Sequence, residues 1–200
     1  MIKNIILDFG DIFIDLDKSV TPKAMEKFGF KNLTPDLDTL FKEYEKGSMG
    51  SRAFLNQVSE HFPTATEKDL IHAWNAILLE FPDNRLEFVE TLAAQNSYRL
   101  FLLSNTNDIH IEYVKQQMGM EKFNRFKNAF EVFYLSYEMG MRKPDAEIYE
   151  FVLKENNLVA SETLFVDDTL ENTDSAASIG INVWNLQVGK EDITQLKSYL

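Results

Sequence analysis

Short apolar runs and amphipathic stretches divide the chain into two kinds of sequence. Near the start, Ile5-Ile6-Leu7 forms a continuous apolar run that stops at Asp8 and is followed by Gly10. This pattern predicts a buried strand ending in a carboxylate beside a turn-permissive glycine. From Lys18 to Phe81 the character changes. Thr21-Pro22 predicts a helix start, because proline is tolerated where no backbone donor is needed. Asp36–Lys46 is amphipathic and stops at Gly47, and Ser51–His61 places Phe54, Leu55 and Val58 at helical spacing. Thr66–Glu80 does the same with Leu70, Ile71, Trp74, Ile77 and Leu78. No strand is expected here, so residues 18–81 read as a small helical bundle whose aromatic residues Phe41, Phe54, Phe62 and Trp74 form its core.

Beyond Asn84, helix and strand patterns alternate. Arg85–Gln95 predicts a helix, and Leu100–Leu103 a strand ending at Ser104-Asn105-Thr106-Asn107. A helix over Asp108–Met118 follows, with Asn107 as its cap. Phe130–Leu135 predicts the next strand, followed by a helix from Pro144-Asp145 to about Asn156. Thr163–Val166 predicts a strand ending at Asp167-Asp168, then a helix to Gly180 and a last strand over Ile181–Trp184. Strands separated by helices imply parallel pairing, since each parallel pair requires a crossover. The expected fold is α/β: a Rossmann-like three-layer core with a parallel sheet, formed by residues 1–17 and 82–200, plus an α-helical subdomain inserted at 18–81.

Composition narrows the function. The 200 residues carry a formal charge of -12, which disfavours nucleic-acid and anionic-membrane partners. There is no cysteine, which removes disulfides and thiol catalysis. No apolar run approaches membrane-spanning length, and Met1-Ile2-Lys3 runs directly into the first strand. A soluble, cytoplasmic protein is expected, with monomer and homodimer both open.

The strand ends bring together Asp8, Ser104-Asn105 and Asp167-Asp168, with Lys143 just after the third strand. Carboxylates from two strands can hold Mg²⁺, a hard cation that prefers oxygen ligands. A hydroxyl at a helix N-terminus together with an ammonium suits an anion such as phosphate. An aspartate whose charge is balanced by Mg²⁺ and lysine can attack phosphorus. His61, His72 and His110 show no metal-ligand grouping. No Gly-x-Ser-x-Gly elbow surrounds Ser104, and no dinucleotide-binding glycine pattern follows the first strand.

Four segments, L-D-F-G-D-I, L-L-S-N-T-N, M-R-K-P-D and F-V-D-D-T-L-E-N, match in order the motifs of the haloacid dehalogenase superfamily. The chain resembles its branch with a helical cap after the first strand. The resemblance implies that Asp8 is a nucleophile forming an aspartyl-phosphate. Ser104, with Asn105, would bind the phosphoryl group, and Lys143 would neutralise charge on Asp8 and phosphate. Asp8, the Gly10 carbonyl and Asp168 would ligate Mg²⁺, with Asp167 and Asn172 in support. The implied activity is a Mg²⁺-dependent phosphatase acting on a small phosphorylated metabolite, a sugar phosphate among the candidates.

One position departs from the pattern. Most phosphatases of this superfamily have Asp-x-Asp, the second aspartate moving protons; here that residue is Gly10. The loss concerns proton donation to the leaving group, an effect of about 10²–10⁴-fold. The sequence resembles an Asp-x-Gly subgroup that includes sugar-phosphate phosphatases. Asp11 is a turn residue and a candidate substitute for the missing acid. Asp15-Leu16-Asp17 repeats the apolar-run-then-carboxylate pattern but reads as a linker to the cap. Two alternatives remain: a 2-haloacid dehalogenase, which needs no metal, and a phosphate- or metabolite-binding protein that has lost turnover through Gly10. Arg142 is read as a surface charge.

Overall fold

Five short parallel strands form one sheet in the order β3-β2-β1-β4-β5 in the computed structural model, which describes all 200 residues. In chain order, β1 spans Asn4–Leu7, and four helices follow it: α1 (Val20–Glu26), α2 (Pro35–Glu45), α3 (Ser51–His61) and α4 (Glu67–Asn75). Then come α5 (Asp83–Ala94), β2 (Arg99–Ser104), α6 (Asp108–Met118), α7 (Met120–Asn128), β3 (Val132–Leu135) and the single turn α8 (Ser136–Met139). The chain ends with α9 (Ala146–Glu155), β4 (Thr163–Asp167), α10 (Leu170–Ser178), β5 (Asn182–Asn185) and 3₁₀ turns over Ile193–Tyr199. No helix is long and apolar enough to cross a membrane.

The central strands are apolar on both faces because both are covered. Ile5, Leu7, Leu102 and Val166 join a core completed by α5, α6 and α7 through Val89, Ile111 and Phe126. Ile6, Phe101, Leu103 and Phe165 point the other way, against Ile148, Tyr149 and Val152 of α9 and Ala176 of α10. Helices therefore sit on both faces of the sheet. A third, separate cluster lies within α1–α4, around Leu40, Tyr44, Phe54, Val58, Phe62 and Leu70.

Several boundaries differ from the sequence expectation. The helix anticipated over Thr66–Glu80 ends at Asn75. Beyond it, Leu78 bridges Leu16 in antiparallel fashion, and the Asp15 and Asp17 N–H groups donate to the Glu80 and Ile77 carbonyls. Those backbone bonds are what a helix through Leu78 would forfeit. The strand expected over Phe130–Leu135 starts at Val132, because Phe130 turns into an aromatic cluster with Phe13 and Phe126. The last strand is Asn182–Asn185 rather than Ile181–Trp184, and α7 lies in a stretch where no helix was expected.

Candidate active site

Parallel pairing places four strand ends side by side. The Asp8 N–H donates to the Val166 carbonyl at 3.0 Å, so the residue after β1 is held by the strand that leads into Asp167-Asp168. Ser104 ends β2 on the opposite side, opposite Leu135 of β3. Asn107 caps α6, its side chain accepting from the His110 N–H at 3.0 Å.

Lys143 is the electrostatic centre. Its side chain is 1% exposed, and its Nζ lies 2.7 Å from Asp8 Oδ1 and 2.6 Å from Asp167 Oδ2. The Asn105 side chain fixes the lysine's backbone from both ends, donating to the Lys143 carbonyl at 2.8 Å and accepting from its N–H at 2.9 Å. Ser104 Oγ has one long hydrogen bond, 3.5 Å, to the Asn105 carbonyl.

The acidic pair divides into two unlike members. Asp167 is fully buried; besides Lys143, its carboxylate accepts from the Thr169 N–H at 2.8 Å and from Asn172 Nδ2 at 3.0 Å to each oxygen. Tyr149 Oη donates to the Asn172 carbonyl at 2.9 Å and so steadies that loop. Asp168 instead faces Lys18, whose Nζ is 2.9 Å away and also lies 3.3 Å from Asp11 Oδ2. One oxygen from each of Asp8, Asp167 and Asp168 falls within a cluster 4.8 Å across. An all-carboxylate set of this kind fits a small hard cation such as Mg²⁺.

Burial pushes the Asp8 carboxyl up to about 7, against the pull of Lys143 and with help from the nearby Asp167 charge. Lys143 is held above its ordinary range: burial disfavours its charge, but Asp167 and Asp8 outweigh that. Asp11 is also raised, mainly by burial. Its backbone adopts φ 55° and its carboxylate accepts the Leu16 N–H at 3.0 Å, the arrangement of a turn residue. At Gly10, an added Cβ would stand 2.8 Å from Leu16 Cδ1.

Between α2 and these loops runs a polar cleft of about 530 Å³ with no hydrophobic wall. Thr39, Lys42 and Lys46 line one side, and Asn105, Arg142 and Asn172 the other. Arg142 is not the free surface charge expected, since it is ion-paired at 2.9 Å with Glu45 at the end of α2. Asp15, in the linker, pairs with Arg85 at 2.8 Å.

The motifs of haloacid dehalogenase-like hydrolases match residues 2–180 of this chain. The chain belongs to that family. Within the family it is 29% identical over 197 residues to a D-ribitol-5-phosphate phosphatase of Bacteroides thetaiotaomicron, covering 96% of this chain and 95% of the relative. A crystal structure of a haloacid dehalogenase family enzyme from Bacteroides thetaiotaomicron, solved as a magnesium complex, superposes with a TM-score of 0.87 at 33% identity over 98% of each chain. A wild-type complex with magnesium and inorganic phosphate from that organism gives 0.81 at 32% identity, over 96% of this chain and 97% of the other.

All eight residues singled out from sequence, Asp8, Gly10, Ser104, Asn105, Lys143, Asp167, Asp168 and Asn172, lie at the carboxyl ends of the strands or on the segments that follow them. The sequence reading missed Lys18, Leu16 and the Thr169 N–H. Lys18 belongs to no motif, and its spacing from Asp168 in sequence gives no hint that they meet.

Proposed function

We propose that this chain hydrolyses a small phosphorylated metabolite with Mg²⁺ as cofactor, through an aspartyl-phosphate on Asp8. The observation that carries this reading is the buried Lys143 set between Asp8 and Asp167, next to Asp168. Asp8, the Gly10 carbonyl and Asp168 would hold Mg²⁺, which when bound neutralises charge on the phosphoryl group. Asp167 is better suited to support, because its carboxylate is already occupied by Lys143, Thr169 and Asn172.

The reaction then follows from the chain's own groups. One Asp8 oxygen attacks phosphorus as the bond to the leaving oxygen breaks, and that oxygen takes its proton from solvent water. Lys143 offsets charge on the nucleophile and the transferring group, and Ser104 Oγ, with its single long bond, is free to donate to a phosphoryl oxygen. Asn105 has its side chain committed to Lys143, so it can bind phosphate only through its backbone N–H. Water then attacks the aspartyl-phosphate, releasing phosphate and restoring Asp8.

Residues 18–81 act as the cap, closing the cleft and choosing the leaving group. The absence of a hydrophobic wall in that cleft, together with the D-ribitol-5-phosphate phosphatase relative, supports a sugar or polyol phosphate as substrate. The deciding experiment is phosphate release from a panel of small phosphate esters, with and without Mg²⁺, comparing wild type with Asp8→Asn. Mg²⁺-dependent release abolished by the substitution supports the reading. Release that survives a chelator, or survives loss of the carboxylate, overturns it.

A further inference from the structure

A partly open apolar chamber of about 320 Å³ lies inside the cap, between α1, α2, α3 and α4. Twelve of its fifteen lining residues are hydrophobic, Phe41, Phe54, Phe62 and Trp74 among them. At about 320 Å³ the space exceeds the small voids that interior packing leaves. It falls in the size range of small-molecule sites, which are lined in the same way.

Three wall residues are not hydrophobic: Lys18, Thr21 and Pro22. The Thr21 hydroxyl already donates to the Ala73 carbonyl at 2.7 Å, and proline has no N–H. The wall therefore offers almost nothing to a buried hydroxyl, and a polyol placed here would lose its hydrogen bonds to water without replacement. Water fares no better in an apolar space. What fits is hydrocarbon. Lys18 gives the chamber its direction: this wall residue reaches Asp168 at 2.9 Å and Asp11 at 3.3 Å. The chamber and the acidic centre thus share one side chain.

We infer that the enzyme has a second substrate class, monophosphate esters of apolar alcohols, whose hydrocarbon part occupies the cap chamber while the phosphate reaches Asp8. This rests on the phosphatase reading above. The chemistry is unchanged: the bond from phosphorus to the alcohol oxygen breaks, one water is consumed, and the alcohol and inorganic phosphate are released. At roughly 30 Å³ per water-sized group, the chamber holds a chain of about ten carbons.

The test is a series of straight-chain alkyl monophosphates from two to twelve carbons, assayed beside ribitol 5-phosphate with Mg²⁺ present. KM is expected to fall by about twofold to fourfold per methylene and to level off near ten carbons. Val58→Phe, which adds bulk to the wall, moves the plateau to shorter chains, whereas a general folding defect would weaken every ester alike. Trp74 lines the chamber, so decanol should change its fluorescence, and Trp74→Phe should remove that change. A KM independent of chain length with ribitol 5-phosphate still hydrolysed overturns this inference alone. No release from any ester overturns it together with the phosphatase reading.

Discussion

Asp8 carries two demands that pull against each other. Its burial pushes its carboxyl from 3.8 to about 7, yet both roles proposed for it, metal binding and attack on phosphorus, need the ionised form. A carboxyl raised in this way favours the folded state at low pH and loses that advantage as pH climbs from about 4 through 7. Mg²⁺ selects the ionised form, so the rise in melting temperature on adding Mg²⁺ should be larger at pH 8 than at pH 5.5; an equal rise would remove Asp8 from the ligand set. The Asn172 amide acts one step away, through Asp167 and Lys143. Asn172→Ala should lower kcat by about 10–100-fold while KM changes little, as expected when a positioning contact is lost. At Gly10, where the family's usual acid would stand, an added Cβ crowds one methyl of the flexible Leu16 side chain. A side chain there meets Leu16, so Gly10→Asp should lower the melting temperature, and adding Leu16→Ala should restore part of it. The eight motif residues were legible because parallel strands announce their ends through an apolar run stopped by a polar residue. Lys18 was not, because its partner Asp168 is distant in sequence and only folding brings the two together.

At the scale of elements, the cap is fastened to the core by α2, α3 and α4. Tyr44 and Ser51 both donate to the Asp108 carboxylate at the start of α6, and Ser136 Oγ donates to the Glu45 carbonyl at 2.6 Å. Trp74 stacks on His110 with ring centroids 5.3 Å apart, while His110 Nε2 lies 3.0 Å from the Trp74 carbonyl. Burial lowers the His110 imidazole to about 4 from 6.5. Stability from a histidine kept neutral is complete above 6.5 and is lost as pH falls toward 4. The partly covered ring should contribute about 1 kcal/mol of acid sensitivity at pH 5. Urea denaturation at pH 7 and pH 5 should show His110→Phe losing less stability between the two than wild type. None of these fasteners was readable in advance, since the aromatic stripe that includes Trp74 looks the same whether it packs inward or also touches a neighbour. The α4 boundary was overread for a related reason: Ile77 and Leu78 keep helical spacing with Trp74, but the bridge from Leu78 to Leu16 claims their backbone.

Across the whole molecule, the apolar clusters of the cap and the core share no residue. Replacing residues 18–76 with a short glycine-containing turn should therefore leave a folded core that has lost its discrimination among phosphate esters, measured as a narrower spread of kcat/KM over the panel. The formal charge of -12 makes this a molecule that repels its own substrate at a distance, leaving attraction to the buried Lys143 and the bound metal at close range. The alternation of strands and helices made this architecture readable, because a sheet buried on both faces leaves continuous apolar runs. The bridge between Leu16 and Leu78 has one more consequence. The sixty-one residues between these two leave the core and return to it a single strand spacing apart, so the core experiences them as a hairpin loop. A loop's closure entropy grows only slowly with its length. In the proposed role of a cap, this insert can therefore be lengthened, shortened or exchanged as a cassette while the chemistry beneath it stays fixed, so that new specificities can be acquired without rebuilding the catalytic groups.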